Sequence, residues 1–138
     1  GLYQSPVLPY VDELLATISP LAVCRVNANF TVQQEKRGRS KFHIDHKFLK
    51  HTSMITSIFY MNTTNGPTVL EDGTEIECRA NRLVSFPYDT YHAAVPCTDQ
   101  PYRIVINLNY FVDNSLTISK ALSKLPFIDI ISAPYIKA

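Results

Sequence analysis

Hydrophobic and polar positions follow two different periods along this chain. Near its start, Val11, Leu14, Leu15 and Ile18 are apolar at the spacing of one helical face, and Pro20 ends the pattern. The sequence therefore predicts a short helix over 11–18. A similar spacing of Leu and Ser over 115–125, closed by a proline, predicts a second helix that packs on a sheet.

Between these two segments the period shortens to that of β-strands. Short β-branched or aromatic segments are separated by Gly, Pro, Asn and Asp, which favour turns. In "RIVINLNYF", Arg103, Asn107 and Asn109 share one face, while the other face is apolar. Many short strands of this kind predict a sandwich or barrel. The predicted strands lie within 21–32, 57–63, 68–73, 81–87, 92–96 and 103–111.

Composition narrows the class of protein. A length of 138 residues and a formal charge of +1 predict a single domain, 1–138, without a basic field for nucleic acid or anionic membrane. No apolar run approaches the roughly 20 residues of a membrane span, and no signal peptide is visible, so we expect a cytoplasmic location. Three widely spaced cysteines, Cys24, Cys78 and Cys97, predict reduced and mostly buried thiols.

The segment "KFHIDHK", 41–47, is the first candidate for a metal site. In an extended chain His43 and Asp45 share one face and could chelate a metal, whereas His46 points to the other face. A non-haem iron site of the facial-triad type needs a second histidine. His51 lies in a Lys-rich stretch that predicts a turn, whereas His92 opens a short strand, so His92 is the better candidate.

The order of these residues, followed by Arg103, resembles the H-x-D…H…R signature of the Fe(II)- and 2-oxoglutarate-dependent dioxygenases. "SIFYMN", "GPTVLEDG" and "NRLVSFPYDTYHAAVP" further resemble segments of the prolyl 4-hydroxylase-like branch, small phage or bacterial members in particular. The resemblance covers about 25–111. It departs from the family at Gly66 and Pro67, where many relatives have two glycines, and at the front, where relatives carry more helix, so we expect Gly1 to be a truncation point.

The resemblance implies a fold, a cofactor and a reaction. The fold is mainly β, a double-stranded β-helix (a jelly-roll or cupin-like barrel) with one or two short flanking helices. His43, Asp45 and His92 would bind Fe(II) and leave three octahedral positions for 2-oxoglutarate and O2. Arg103 would hold the far carboxylate of 2-oxoglutarate through two parallel hydrogen bonds, with Tyr60 as a second contact. Hydroxylation of a substrate C–H bond, such as that of a peptidyl proline, would release succinate and CO2. If the chain is phage-encoded, it would act in the host cytoplasm.

Alternatives remain open at this point. Each histidine alone could be a surface residue, Asp45 could cap a turn, Arg103 could pair with a surface carboxylate, and Tyr60 could belong to the core. A nucleobase-repair dioxygenase would be expected to show further arginines after Arg103 and a basic groove, and "RIVINLNYF" shows neither, so we do not expect nucleic acid as a partner. A non-catalytic β-barrel binding module and a cupin-like zinc or manganese enzyme are the other candidates. The expected partner is a peptide or small-molecule substrate, and no membrane.

Overall fold

The computed structural model describes residues 8–18, 20, 22–45, 54–112 and 129–132. Strands form two sheets, one of five strands in the order β1-β7-β2-β5-β8 and one of three in the order β4-β3-β6. All pairs are antiparallel except β5 with β8. The elements are α1 (Leu8–Ile18), β1 (Ala22–Val32), β2 (Met54–Tyr60), β3 (Thr68–Leu70), β4 (Glu75–Ile76), β5 (Arg82–Pro87), β6 (His92–Ala94), β7 (Tyr102–Phe111) and β8 (Asp129–Ser132).

The larger sheet has an apolar outer face that α1 covers. Val11, Leu14 and Ile18, the apolar stripe of α1, belong to the same buried cluster as Ile106 and Leu108 of β7. Each aliphatic side chain buried in this way contributes about 1.5–3 kcal/mol relative to exposure. This burial explains the regular alternation of apolar and polar residues along β7, because its outward-facing side chains form the surface against which the helix packs.

A second apolar cluster lies between the two sheets. It joins side chains of the larger sheet, on β2, β5 and β7, to side chains of the smaller sheet and the turn after it. This inner core holds the two sheets together as a sandwich. Its members are Ile58, Tyr60, Leu70, Ile76, Cys78, Val84, Phe86 and Val105.

The pairing of β1 with β7 places a row of polar side chains on the inner face of the larger sheet. Asn27 pairs with Asn107 and Thr31 with Arg103, so their side chains lie on the face from which Arg103 reaches β3. A shift of register between Val23 and Arg25 precedes this row. The sandwich therefore has an apolar core between the sheets and a polar region beside β1.

The mainly β fold predicted from the sequence is confirmed, with differences in detail. Helix α1 begins at Leu8, before the predicted 11, and β2 begins at Met54 rather than 57. Strands β4 and β8 were not predicted. The predicted helix over 115–125 and both His46 and His51 lie outside the described residues.

Two further expectations concern single residues and the membrane. Cys78 and Cys97 are buried thiols, as predicted, but Cys24 is exposed because it lies on β1, at the edge of the sheet. In the part of the chain that the structure describes, no helix is both long and apolar enough to cross a bilayer.

Candidate metal centre

His43, which lies outside the named strands, meets His92 at the start of β6 through an isolated antiparallel bridge. Each donates its backbone N–H to the backbone carbonyl of the other, at 3.0 Å in both directions. Ser40 extends the contact, since its N–H donates to the Ala94 carbonyl at 2.9 Å and its Oγ accepts from the Ala94 N–H at 3.0 Å. The imidazole rings consequently lie side by side, with centroids 4.5 Å apart.

Asp45 completes a compact group with the two histidines. Its Oδ1 atom lies 3.6 Å from His43 Nε2 and 3.6 Å from His92 Nε2. One ligand atom from each of the three residues lies within 4.8 Å of the others, which is close enough for one metal ion to be shared. Two imidazole nitrogens and one carboxylate oxygen are the donor set of the facial triad, so the residues fit a divalent transition metal such as Fe(II).

Backbone carbonyls orient both imidazoles for metal binding. His43 Nδ1 lies 3.2 Å from the Lys41 carbonyl, and His92 Nδ1 lies 3.0 Å from the Thr90 carbonyl. A carbonyl can only accept, so each Nδ1 donates its proton to that carbonyl, and Nε2 is the nitrogen whose lone pair a metal would use. The Nε2 atoms are the ones that face Asp45, and the histidines are therefore set in the tautomer that a metal requires.

Asn109 holds the second oxygen of Asp45. Its Nδ2 donates to Asp45 Oδ2 at 2.9 Å and to Thr56 Oγ1 at 2.9 Å, and the asparagine is buried. This contact leaves Oδ1 turned toward the histidines. Burial of Asp45 raises its pKa, but the close approach of His92, the hydrogen bond from Asn109 and coulombic attraction to both histidines outweigh burial and lower the pKa to about 2. The carboxyl group is therefore ionised at neutral pH.

Both histidines also line a cavity of about 440 Å³, which we call the arginine cavity. It extends between β1 and the smaller sheet to the guanidinium of Arg103. A cavity of this size can take a small organic ligand. Its walls are Ala28, Asn29, Phe30, Thr31, His43, Ile58, Thr68, His92, Ala93, Ala94, Arg103, Val105 and Asn107.

Arg103 is a buried cation that has no anionic partner in the described part of the chain. Its side chain is 2% exposed; Nε donates to the Gly66 carbonyl at 2.8 Å and Nη2 to Thr68 Oγ1 at 3.1 Å. A guanidinium has five N–H donors, so several remain for a ligand. Among the described residues no carboxylate forms a salt bridge with Arg103.

Tyr60 lies next to Arg103 but contacts the cavity only through a neighbour. Its hydroxyl donates to Thr68 Oγ1 at 2.7 Å, and the Arg103 guanidinium carbon is 5.8 Å from its ring centroid. Burial raises the pKa of Tyr60 to about 12, so the phenol stays neutral. Its role as a direct 2-oxoglutarate contact stays a prediction, and in this structure the hydroxyl next to Arg103 that belongs to a cavity-lining residue is that of Thr68.

Two polar residues of the site were not singled out from the sequence as functional. Thr68 belongs to the segment "GPTVLEDG", which supplied part of the family resemblance, and its hydroxyl joins Arg103 to Tyr60. Asn109 was recognised as sharing the face of Arg103, where it could line the pocket or face solvent. That shared parity on β7 was the available signal, but contact with Asp45 depends on the tertiary fold.

Comparison with known proteins supports the fold and leaves the family open. No protein-family model matches the chain, and no curated protein matches its sequence. Among solved structures, a cupin protein from Bacteroides fragilis is similar with a TM-score of 0.50 and 12% sequence identity, covering 72% of this chain and 75% of that chain. At this identity the likeness concerns the fold alone. The chain therefore has a cupin-like jelly-roll fold with a His-Asp-His group able to bind a metal ion.

Proposed function

We propose that this chain is a non-haem Fe(II)- and 2-oxoglutarate-dependent dioxygenase. His43, Asp45 and His92 would hold the iron, and Arg103 would bind the distal carboxylate of 2-oxoglutarate. Bound Fe(II) would supply the redox chemistry by which O2 oxidises 2-oxoglutarate to succinate and CO2 and hydroxylates a substrate C–H bond. Beyond the sequence resemblance, the proposal is supported by a facial-triad donor set next to a cavity that His43, His92 and Arg103 line, with Arg103 buried and without a carboxylate partner among the described residues.

The observation that carries the proposal is the environment of Arg103. Burying a cation without a counterion costs several kcal/mol, which proteins recover by pairing it with an anion. The described residues offer Arg103 only a carbonyl and a hydroxyl, and the guanidinium faces a cavity that reaches the histidines. A ligand with a carboxylate at one end and metal-binding oxygens at the other would satisfy both ends of this cavity, and 2-oxoglutarate has this chemistry.

The residues around the site perform three tasks in this scheme. The Lys41 and Thr90 carbonyls hold the two imidazoles in the metal-binding tautomer. Asn109 occupies one oxygen of Asp45, which favours single-oxygen coordination and leaves positions open for co-substrate and O2. Gly66 and Thr68 fix the plane of the Arg103 guanidinium, so that its remaining N–H groups meet an incoming carboxylate without losing side-chain entropy on binding.

The proposed substrate depends on the sequence resemblance and not on the geometry of the site. The prolyl 4-hydroxylase-like resemblance favours a peptidyl proline, and this stays a prediction, because a fold and a cofactor site do not fix the substrate. The alternative of a non-catalytic binding module predicts that no ternary complex forms with iron and 2-oxoglutarate.

An anaerobic titration tests the proposal without a substrate. Fe(II) is added to purified protein, then 2-oxoglutarate, and the visible metal-to-ligand charge-transfer band of the chelated complex is recorded. We expect the band in the wild type, its loss in His43→Ala and His92→Ala, and a much higher 2-oxoglutarate concentration for half-saturation in Arg103→Lys. Lys keeps the charge but cannot form two parallel hydrogen bonds.

Two controls make the result specific. Arg79→Lys changes an exposed arginine that pairs with Glu77, and should leave the band and its half-saturation unchanged. Circular dichroism of each variant separates loss of ligand binding from loss of fold. Absence of the band in folded wild-type protein at saturating iron and 2-oxoglutarate would refute the proposed function and favour the binding module.

A further inference from the structure

A second pocket is lined by residues of the same candidate metal centre. Its volume is about 210 Å³, it shares His43 with the arginine cavity, and it also reaches Asp45. We call it the asparagine pocket. Its walls are Arg25, Asn27, Asn29, His43, Ile44, Asp45, Asn107 and Asn109.

The polar walls of this pocket follow from the pairing of two strands. Arg25 pairs with Asn109, and Asn27 pairs with Asn107, so all four side chains project from the same face of the sheet. This face carries Arg103 further along β7. The inner face of the β1–β7 pair thus presents one guanidinium at each end of the row, with the metal ligands beside it.

Some hydrogen-bonding groups in the asparagine pocket have partners, and others have none among the described residues. Asn109 is used by Asp45 and Thr56, and Asn27 donates to Asn29 Oδ1 at 2.6 Å. Within the described part of the chain, no hydrogen bond or ion pair is formed by the exposed guanidinium of Arg25 or by the half-buried side-chain amide of Asn107. These groups are available to a ligand.

The charges of the walls indicate the kind of ligand. The pocket contains one cation, Arg25, and the amides of four asparagines, while its single carboxylate, Asp45, is directed at the histidines and Asn109. Guanidinium and amide N–H groups together are the usual partners of a carboxylate. The volume lies below the roughly 300–1,000 Å³ of sites for drug-sized ligands, so it suits a small polar head group.

We propose that the asparagine pocket is the substrate subsite and that it binds a carboxylate of the substrate. Arg25 forms the ion pair, and the amides of Asn27 and Asn107 bind polar atoms next to that carboxylate. This assignment rests on the proposed function and adds the chemical class of the substrate: an acid whose oxidised carbon lies close to its carboxylate. The acid is either a free small molecule or the end of a peptide, which share this head group.

The test uses protein loaded with Zn(II), which is diamagnetic and redox-inert, and saturated with 2-oxoglutarate. Free L-amino acids and their C-terminal amides serve as probes, because each pair differs only in the carboxylate. Binding is followed by NMR through the side-chain NH₂ signals of Asn27 and Asn107. Tripeptides that end in the best-binding residue are compared with the free acid to distinguish a small-molecule source from a peptide source.

We expect the acids, but not the amides, to shift these signals, and Arg25→Gln to weaken the acid about tenfold or more through loss of a charge-assisted hydrogen bond. Arg79→Gln, at an exposed arginine remote from the pocket, should bind like the wild type. Equal acid binding by Arg25→Gln, or no shift with any acid at millimolar concentration, would overturn the assignment. The ring signals of His43 and His92 report Zn(II) binding separately. Loss of Zn(II) binding, which would contradict the proposed function, is therefore distinguished from loss of acid binding in the asparagine pocket.

Discussion

Replacement of Arg103 by Met should separate ligand binding from stability, with effects of very different size. Met fills a similar space but carries neither charge nor donors. The Gly66 carbonyl would lose its donor, at a cost of about 1–3 kcal/mol. Thr68 Oγ1 would keep the hydrogen bond from Tyr60, and removal of a buried cation that lacks an anionic partner among the described residues offsets several kcal/mol. The free energy of unfolding of the apoprotein should therefore change by less than about 2 kcal/mol.

Binding of 2-oxoglutarate should respond far more strongly. Loss of a buried guanidinium that pairs with a carboxylate costs about 3–5 kcal/mol, which corresponds to a hundred-fold to several-thousand-fold weaker binding. Urea denaturation of the apoprotein measures the first quantity, and calorimetric titration of the Zn(II)-loaded protein measures the second. If Arg103→Met unfolds the protein while the folded fraction still binds 2-oxoglutarate normally, Arg103 is a structural residue and the reasoning is refuted.

Three further predictions concern the surroundings of the site. Asn109→Ala should weaken Fe(II) binding about 10- to 100-fold, because Asp45 loses the hydrogen bond that orients it. Competition with a chelator measures this affinity, and the control Asn27→Ala should bind Fe(II) like the wild type. Equal Fe(II) affinities of Asn109→Ala and the wild type would contradict the role of Asn109. Gly66→Ala should lower the free energy of unfolding in urea by about 3 kcal/mol or more, because the added Cβ would lie 2.3 Å from the Val95 carbonyl oxygen. The control Gly38→Ala should change it little, since an added Cβ there meets no atom of the described residues within 4 Å. Burial raises the pKa of Tyr60 and of Tyr110 to about 12, so the folded state binds these protons more tightly than the unfolded state. Their contribution to the free energy of unfolding should be complete below about pH 10 and should be lost as the pH rises toward 12. Tyr110→Phe should show a shallower alkaline loss of unfolding free energy than the wild type, and an identical slope would argue against the burial effect.

Patterns within single segments predicted the parts of the fold that depend on local physics. The alternation of β7 follows directly from one face packing on α1, and the short helix follows from its apolar stripe. The parity of His43 and Asp45, together with the order of His92 and Arg103, indicated four residues that the structure places around one cavity and its metal centre.

Features that depend on contacts between distant segments could not be predicted in this way. Strand β4 has two residues, too few for any period, and β8 joins the sheet in parallel beside β5. The contact of Asn109 with Asp45 and that of Arg103 with Thr68 require the sheets to be assembled. Exposure of Cys24 follows from the place of β1 at the edge of its sheet, which the order of strands in the sequence does not reveal.

The bridge between His43 and His92 ties metal occupancy to the local dynamics of the backbone. Two reciprocal hydrogen bonds join His43, outside the named strands, to His92 at the start of β6, and these segments are far apart in the chain. A metal bound by both side chains would cross-link the two segments, and a cross-link of this kind reduces the entropy that the chain gains when the segments separate. The amide protons of His43 and His92 should then exchange with solvent more slowly in the metal-bound protein than in the apoprotein, so that hydrogen exchange at two backbone positions reports the loading of the site.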